Sequence, residues 1–265
     1  MPTAQSNGVS INYLDTGGAG TPVVFVHGFP LDGRMWEPQV NALGGSRRFI
    51  VPDLRGFGGS DVPDDRSAYS VDSFADDVKA VLDDAGVDKA VVCGLSMGGY
   101  VTFSFVRKYG DAVAGLLLAD TRAEPDPPEA KEKRTNQQNQ VSQDGPGGLI
   151  EVLPGALTSE RSRSKNPDLE PLLKKLMDNP AAGFIGALEA MKTRPDSSAD
   201  LAGIDVPTLI VVGEDDGLTP PDAARTMHEA IGGSQMVVIP EAGHFSNLES
   251  PDDFNRALEG FLSTV

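Results

Sequence analysis

The stretch VVCGLSMGGY, residues 91–100, places Ser96 between an apolar run and the beginning of a helical pattern. Gly94 and Gly98 stand two positions before and after the serine. A sharp turn from strand to helix needs small residues there, because its backbone is strained and larger side chains would collide. Such a turn lifts the hydroxyl above the C-terminal edge of a sheet, where α/β folds bind ligands. Ser96 is therefore a candidate nucleophile. A serine that only caps a helix would not require both glycines.

Apolar runs alternate with helical patterns on both sides of this turn. Buried strands are predicted for TPVVFVHG, RRFIVPD, KAVVCGL and AGLLLAD, and VSINYLDTG alternates like an edge strand. The segment from Ser70 to Gly86 has helical periodicity, with Ser70 or Asp72 as the N-cap and Gly86 at the end. A further helix is expected from Met35 to Leu43. This alternation predicts a mostly parallel sheet with right-handed crossovers, flanked by helices.

The composition changes between Thr121 and Gly203, where Pro, Gln, Asn, Lys and Arg become more frequent. The apolar clusters GGLIEVL, PLLKKLM and GFIGALEAM have helical spacing, and this region contains no strand candidate. Strand patterns resume in VPTLIVVGED and SQMVVIPEAG, and a last helix is expected from Pro251 to about Leu262. We therefore predict an α/β core of residues 1–120 and 204–265 with an all-helical cap of residues 121–203.

Charge and cysteine content exclude several classes of function. The formal net charge is -17, from 39 acidic and 22 basic residues, so nucleic acid and anionic membranes are unfavourable partners. The single cysteine, Cys93, excludes an intramolecular disulfide. The N-terminal residues MPTAQSNGVS lack the pattern of a signal peptide, and no apolar run approaches the roughly 18 residues that a membrane span requires. These features predict a cytoplasmic enzyme for small molecules, either a monomer or a homodimer.

A serine nucleophile needs a base, usually an imidazole that a carboxylate holds in place. Of the three histidines, His244 lies beside Gly243 after the last predicted strand, at the same sheet edge as Ser96. We expect it to be the base. His228 lies inside a helical pattern and is expected at the surface. His27 precedes GFP and is expected to hold its own loop by hydrogen bonds.

Several acids could orient His244. Glu214, Asp215 and Asp216 end the strand in VVGEDDGLTP, and Asp120 ends the strand AGLLLAD at the same sheet edge. Asp216 is preferred, because it lies furthest from its strand and precedes a glycine, so it can turn toward the histidine loop. Asp120 is the main rival, and the neighbours of Asp216 also remain open.

The loop after VVFVHG can supply part of an oxyanion hole. The N–H of Phe29 would point toward the serine, and the N–H of Met97 would follow Ser96 at the start of the helix. We predict that these two groups stabilise an oxyanion.

Five fragments together resemble the α/β-hydrolase superfamily over essentially the whole chain. They are VVFVHGFP, VPDLRGFGGSD, GLSMGGY, VVGEDDGLTPP and IPEAGHFSNLESP, in that order. The resemblance implies the order nucleophile, acid and base for Ser96, Asp216 and His244. It also implies a structural loop at Asp53, Arg55 and Gly56.

Within the superfamily, the chain looks most like the branch of 3-oxoadipate enol-lactonases, aryl esterases, acyl-homoserine lactonases and cofactor-free haloperoxidases. A serine nucleophile, where dehalogenases and epoxide hydrolases of this fold place an aspartate, argues against carbon–halogen and epoxide chemistry. The resemblance implies hydrolysis of a carboxylic ester or lactone through an acyl-enzyme. It requires no cofactor, and the sequence has no clustering of cysteine and histidine typical of a metal site.

We expect an apolar acyl pocket shaped by Phe29 and by the cap residues Phe184 and Met191. Two reactions on the same three residues remain alternatives: haloperoxidase-like perhydrolysis, which several relatives with Pro30 in HGFP are said to favour, and carbon–carbon bond hydrolysis. A different class of function, a binding module on a hydrolase scaffold, also remains open, because a fold does not fix function.

Overall fold

The computed structural model describes residues 1–45 and 47–265. Within them, eight strands form a single sheet in the order β1-β2-β4-β3-β5-β6-β7-β8. The strands are β1 (Thr3–Ser6), β2 (Val9–Asp15), β3 (Val23–Val26), β4 (Phe49–Pro52), β5 (Ala90–Leu95), β6 (Val113–Ala119), β7 (Thr208–Gly213) and β8 (Gln235–Ile239).

Helices connect these strands. The α-helices are α1 (Glu37–Leu43), α2 (Val71–Asp84), α3 (Met97–Tyr109), α4 (Pro128–Asp144), α5 (Gly147–Leu157), α6 (Glu160–Lys165), α7 (Leu169–Leu176), α8 (Ala181–Thr193), α9 (Pro221–Ala230), α10 (Ser246–Glu249) and α11 (Pro251–Leu262). Short 3-10 helices cover Gly33–Trp36, Arg66–Ala68, Gly110–Ala112 and Ser198–Gly203.

Strands β3 to β8 are parallel to one another, whereas β2 is antiparallel to β4 and β1 is antiparallel to β2. The predicted α/β-hydrolase architecture, a mostly parallel sheet flanked by helices, is confirmed. Strand β5 lies near the middle of the sheet, with β6, β7 and β8 beside it in turn. Parallel strands end at a common edge, so the loops after β5, β7 and β8 meet at one rim of the sheet.

The N-terminal strand differs from the sequence-based expectation. VSINYLDTG forms β2, but β2 is not the edge, because β1 pairs with it on the outer side. Asn7 and Gly8 form the connecting turn with positive φ angles of 50° and 83°. An Asn-Gly pair between two short strands is a strong hairpin signal, and β1 could have been predicted from it.

Two apolar clusters cover the two faces of the sheet. On one face lie Phe74 and Val78 of α2 and Val101 of α3. On the other face lie Trp36, directly before α1, and Phe254 of α11. Ser70 caps α2 by accepting the Ser73 N–H, and Ser73 returns a bond to the Ser70 N–H. This capping box explains why α2 begins where the sequence predicted.

All of the regular secondary structure between β6 and β7 is helical. It consists of α4 to α8 and the 3-10 helix at Ser198–Gly203. The three apolar clusters identified in the sequence lie in α5, α7 and α8, as expected. Helix α4 was not predicted, because its surface is mostly polar and only Gln138 and Val141 are buried. Among the residues that the structure describes, no helix is both long and apolar enough to span a membrane.

Candidate active site

Ser96 occupies a strained turn between β5 and α3. Its φ of 54° and ψ of -113° lie outside the regions that residues with a side chain normally adopt. A Cβ at Gly98 would lie 2.2 Å from the Val26 carbonyl oxygen, and one at Gly94 would lie 2.3 Å from the Gly98 carbonyl oxygen. Only glycine fits at either position, so the two glycines permit the turn in which Ser96 lies.

The structure brings Ser96, His244 and Asp216 together, although they are far apart in the sequence. The Ser96 Oγ lies 2.8 Å from His244 Nε2, and His244 Nδ1 lies 2.8 Å from Asp216 Oδ2. With the proton on Nδ1, the imidazole donates to the carboxylate and accepts from the serine hydroxyl. All three residues are buried, with Ser96 the most exposed at 6%. This arrangement can remove a proton from Ser96.

Asp216 is held by groups that were not predicted from the sequence. Its Oδ1 accepts the N–H groups of Leu218 (2.8 Å) and Thr219 (2.9 Å), and its Oδ2 accepts the Thr219 hydroxyl at 2.6 Å. An aspartate that bonds backbone groups two and three residues ahead is a common turn device. The sequence DDGLTP carries that signal, and Thr219 could have been found from it.

The local environment shifts the pKa values of His244 and Asp216 in opposite directions. Burial opposes ionisation of both groups. The opposite charge and hydrogen bond of Asp216 nevertheless raise the pKa of His244 above its usual value, and His244 together with Thr219 lowers the pKa of Asp216. The carboxylate therefore stays ionised and stabilises the imidazolium that forms when His244 accepts a proton.

The histidine loop is also fixed by α10 and by the helical region between β6 and β7. Glu249 accepts the N–H groups of Gly243 (2.9 Å), Phe245 (3.0 Å) and Ser159 (2.8 Å). The His244 N–H donates to the Leu157 carbonyl at 2.8 Å. His244 is thus held from both sides, and the helices above the sheet contribute to its position.

The other candidate acids lie elsewhere. Asp215 and Glu214 both pair with Arg161 near the surface. Asp120 is fully buried and accepts the Gly213 N–H at 2.8 Å and the Ser246 hydroxyl at 2.5 Å. Of the four acids considered from the sequence, Asp216 is the one that the structure places against the His244 ring.

The remaining histidines lie apart from this arrangement. His27 is completely buried, with Nδ1 3.2 Å from the Gly28 carbonyl, and its Nε2 accepts the Leu54 N–H at 3.0 Å. Burial lowers the pKa of His27, so its ring stays neutral and connects two loops. His228 is half-buried rather than fully solvated, and its Nδ1 lies 2.8 Å from the Ser234 hydroxyl.

The two backbone N–H groups predicted to stabilise an oxyanion have no hydrogen-bond partner among the described residues. Within residues 1–45 and 47–265, the N–H groups of Phe29 and Met97 donate to no other protein group. Met97 directly follows Ser96 at the first position of α3. Unpaired N–H groups at the start of a helix favour negative charge.

The predicted pocket residues divide between two clusters. Phe29 and Phe184 form an edge-to-face pair with ring centroids 5.4 Å apart. Met191 instead belongs to a larger cluster that includes Met97 and Tyr100. Phe29 also packs against that larger cluster, so it borders both.

The loop after β4 is tied to the core, as the resemblance implied. Arg55 forms a buried ion pair with Asp77 of α2, with its Nε 2.8 Å from the carboxylate. Gly56 has a φ of 87°, and a Cβ there would lie 2.7 Å from the Cα of Gly183 in α8. Asp53 accepts the N–H groups of Gly33 and Gly59, each at 2.9 Å.

Residues 23–257 match the model of the alpha/beta hydrolase family, and the chain belongs to that family. A thermophilic esterase from Thermogutta terrifontis, solved with malate bound, is similar in structure with a TM-score of 0.95 and 39% identity, covering 99% of this chain and 98% of that one. 3-Oxoadipate enol-lactonase 1 of Acinetobacter baylyi is 30% identical over 92% of this chain and 89% of its own length. A putative non-heme chloroperoxidase of Synechocystis is 32% identical over 99% of both chains. The predicted family, fold and enzyme class, a carboxylic ester hydrolase, agree with these relatives and are confirmed.

Proposed function

We propose that this enzyme hydrolyses small carboxylic esters or lactones through an acyl-enzyme, with Ser96 as the nucleophile, His244 as the base and Asp216 as the orienting acid. The observation that carries the proposal is the continuous hydrogen-bonded chain from the serine hydroxyl to the carboxylate, 2.8 Å at each step. The similarity to an esterase and an enol-lactonase supports acyl transfer rather than another use of the same groups.

In the first half-reaction, Ser96 attacks the carbonyl carbon while His244 takes the hydroxyl proton. The N–H groups of Phe29 and Met97 hold the oxyanion, and the imidazolium then protonates the leaving alcohol. In the second, His244 deprotonates a water molecule that releases the acid and restores Ser96. Each step uses only groups of this chain and the substrate, so the proposed reaction needs no cofactor and no metal ion.

The helices above the sheet define the acyl pocket in this proposal. Residues 1–120 and 204–265 are the catalytic core, and residues 121–203 are a cap over it. Phe29 on the core and Phe184 on the cap line the pocket, with Met191 further along α8. A cytoplasmic monomer or homodimer acting on small molecules, without nucleic acid or membrane partners, completes the proposal.

Steady-state turnover tests the proposal. The wild-type protein should release p-nitrophenol continuously from p-nitrophenyl acetate or butyrate, and Ser96→Ala should lower kcat by about 10⁴-fold or more while remaining folded. Ser67→Ala, at an exposed serine, is the matched control and should retain wild-type activity. A series of esters beside lactones of equal size would identify the acyl group. Steady turnover by folded Ser96→Ala would place the nucleophile elsewhere.

A second reaction is supported by the similarity to a putative non-heme chloroperoxidase. In this reaction a carboxylic acid acylates Ser96 with loss of water, and hydrogen peroxide then attacks the acyl-enzyme, releasing a peracid and restoring Ser96. The peracid oxidises halide to hypohalous acid and returns the carboxylic acid. Halide oxidation that requires both peroxide and a carboxylate, and that is lost in Ser96→Ala, would support this reaction. Oxidation without a carboxylate would contradict it.

A further inference from the structure

The buried carboxyl group of Asp120 is not part of the Ser96–His244–Asp216 hydrogen-bonded chain. It connects the segments that carry Asp216 and His244. Asp120 follows β6 and is fully buried, with a φ of 45°. Its Oδ1 accepts the Gly213 N–H at 2.8 Å, and its Oδ2 accepts the Ser246 hydroxyl at 2.5 Å and the Ser246 N–H at 3.2 Å. Gly213 ends β7, before the loop with Asp216, and Ser246 begins α10, just after His244. One side chain thus joins the loops of the acid and the base.

The residues on either side of Asp120 hold the serine turn. The Ser96 N–H donates to the Ala119 carbonyl at 2.9 Å, and the Thr121 hydroxyl donates to the Ser96 carbonyl at 2.8 Å. Thr121 occupies the space that a side chain at Gly99 would need, because a Cβ there would lie 2.4 Å from the threonine oxygen. Residues 119–121 therefore contact all three segments that meet at the site.

We propose that Asp120 is a positioning residue for this hydrolase, one that fixes the loops of Asp216 and His244 and, in its ionised form, stabilises the His244 imidazolium. The inference rests on the proposed function. The Asp120 carboxyl group bonds Ser246 and Gly213 and does not bond His244, which is bonded by Asp216. Asp120 therefore acts through Ser246 and Gly213.

Three carboxyl groups act on the His244 imidazole. Asp216 is bonded to it, while Asp120 at the end of β6 and Glu249 of α10 act through their charges, and each favours the imidazolium and raises the pKa of His244 against the effect of burial. Burial and the charge of Asp216 raise the pKa of Asp120 well above its usual value, and a charged His244 and the Ser246 and Gly213 donors oppose that rise. Imidazolium formation and ionisation of Asp120 therefore favour each other.

Asp120→Asn replaces the ionisable carboxyl group with a neutral amide of similar shape and tests the proposal in two ways. We expect kcat for p-nitrophenyl butyrate to fall about 10- to 100-fold with KM within about threefold, because the interaction is needed after substrate has bound. We also expect the pKa of His244, followed by NMR of the ring, to fall. Asp215→Asn, in the surface ion pair beside the site, is the control and should change neither quantity.

The NMR titration needs no substrate, so it separates failure of this inference from failure of the proposed function. If folded Asp120→Asn keeps the wild-type kcat, or if its His244 pKa does not move, the proposal is overturned, and in the second case Asp120 is only a scaffold. If Asp120→Asn does not fold, Ser246→Ala takes its place. It removes one donor to Asp120 and should lower kcat about three- to tenfold. A wild-type kcat in Ser246→Ala would then overturn the proposal.

Discussion

At the scale of single residues, position within one loop determines which acid contacts the base. Asp215 and Asp216 are neighbours with the same functional group. Asp216 is 3% exposed and its carboxylate is bonded to His244 and Thr219, whereas Asp215 faces Arg161 and Ser159. Electrostatic support for an imidazolium is strongest where water is excluded. The two aspartates should therefore differ sharply in their effect on activity.

Asp216→Asn should lower kcat for p-nitrophenyl butyrate about 10³- to 10⁴-fold, because an amide cannot hold the correct tautomer or stabilise the imidazolium. Asp215→Asn should stay within about threefold of wild type, since surface ion pairs contribute little. Parallel kinetic measurements on both variants check this prediction. Equal losses in the two variants would mean that the loop, rather than the Asp216 carboxylate, matters.

The pH dependence of the wild-type enzyme follows from the raised pKa of His244. The base must be neutral, so kcat/KM should fall as the pH drops through that pKa, with a midpoint above the usual imidazole value of about 6.5. The lowered pKa of Asp216 keeps the carboxylate ionised across this range. The midpoint is obtained by measuring kcat/KM from pH 4 to 9 at intervals of about half a pH unit. A midpoint well below the usual imidazole value would contradict the assigned environment.

At the scale of secondary-structure elements, the contact between α8 and the core is built on small residues. Gly183 and Gly186 lie one turn apart on α8, against Gly56 and the Tyr69 ring. A Cβ at Gly186 would lie 2.3 Å from the Tyr69 ring, and the Tyr69 hydroxyl is fixed to the Pro63 carbonyl at 2.9 Å. The ring therefore cannot move aside without loss of that hydrogen bond.

Gly186→Ala should lower the free energy of unfolding by about 1–3 kcal/mol through overpacking against Tyr69. Gly155→Ala is the matched control, since Gly155 is an exposed glycine of α5 with nothing closer than 3.9 Å to its Cβ position. That control should raise the free energy of unfolding by about 0.4–1 kcal/mol. Urea denaturation of the two variants distinguishes the effects. A stabilising Gly186→Ala would show that α8 and Tyr69 are not in close contact.

Elements with an apolar pattern could be predicted from the sequence, and polar elements could not. The clusters in α5, α7 and α8 indicated helices because each buries an apolar face. Helix α4 lacks such a face, and it is held by contacts that only the fold supplies. Examples are the bonds from Gln138 to the Ile185 carbonyl and to Glu189 of α8.

At the scale of the whole molecule, the order of the strands in the sheet brings together residues that are far apart in the sequence. The loops after β5, β7 and β8 open on one rim of the sheet, and Ser96, Asp216 and His244 lie in those three loops. The residue types and their place after strands allowed all three to be predicted from the sequence. The part played by Asp120 was not predicted, because its bonds to Gly213 and Ser246 depend on the lateral order of β6, β7 and β8.

A buried ionic cluster joins the helical region between β6 and β7 to helix α3. Asp126 pairs with Arg194 at 2.7 Å and also with Arg134, and the Arg194 guanidinium lies 4.0 Å from the centre of the Tyr100 ring in α3. Breaking a buried pair by removing one partner leaves an unpaired charge, which is strongly unfavourable. The cluster therefore joins the two ends of the helical region, near Asp126 and Arg194, and holds them against α3, which begins directly after Ser96.

The most direct measurement for the central claim is mass spectrometry of the protein after reaction with a p-nitrophenyl alkylphosphonate, which a serine nucleophile attacks with loss of p-nitrophenolate. We predict one phosphonyl group per chain on the peptide that contains Ser96, formed in step with loss of ester hydrolysis and absent from Ser96→Ala. Complete inactivation with the phosphonyl group on another residue, or unchanged hydrolysis after full modification of Ser96, would contradict it.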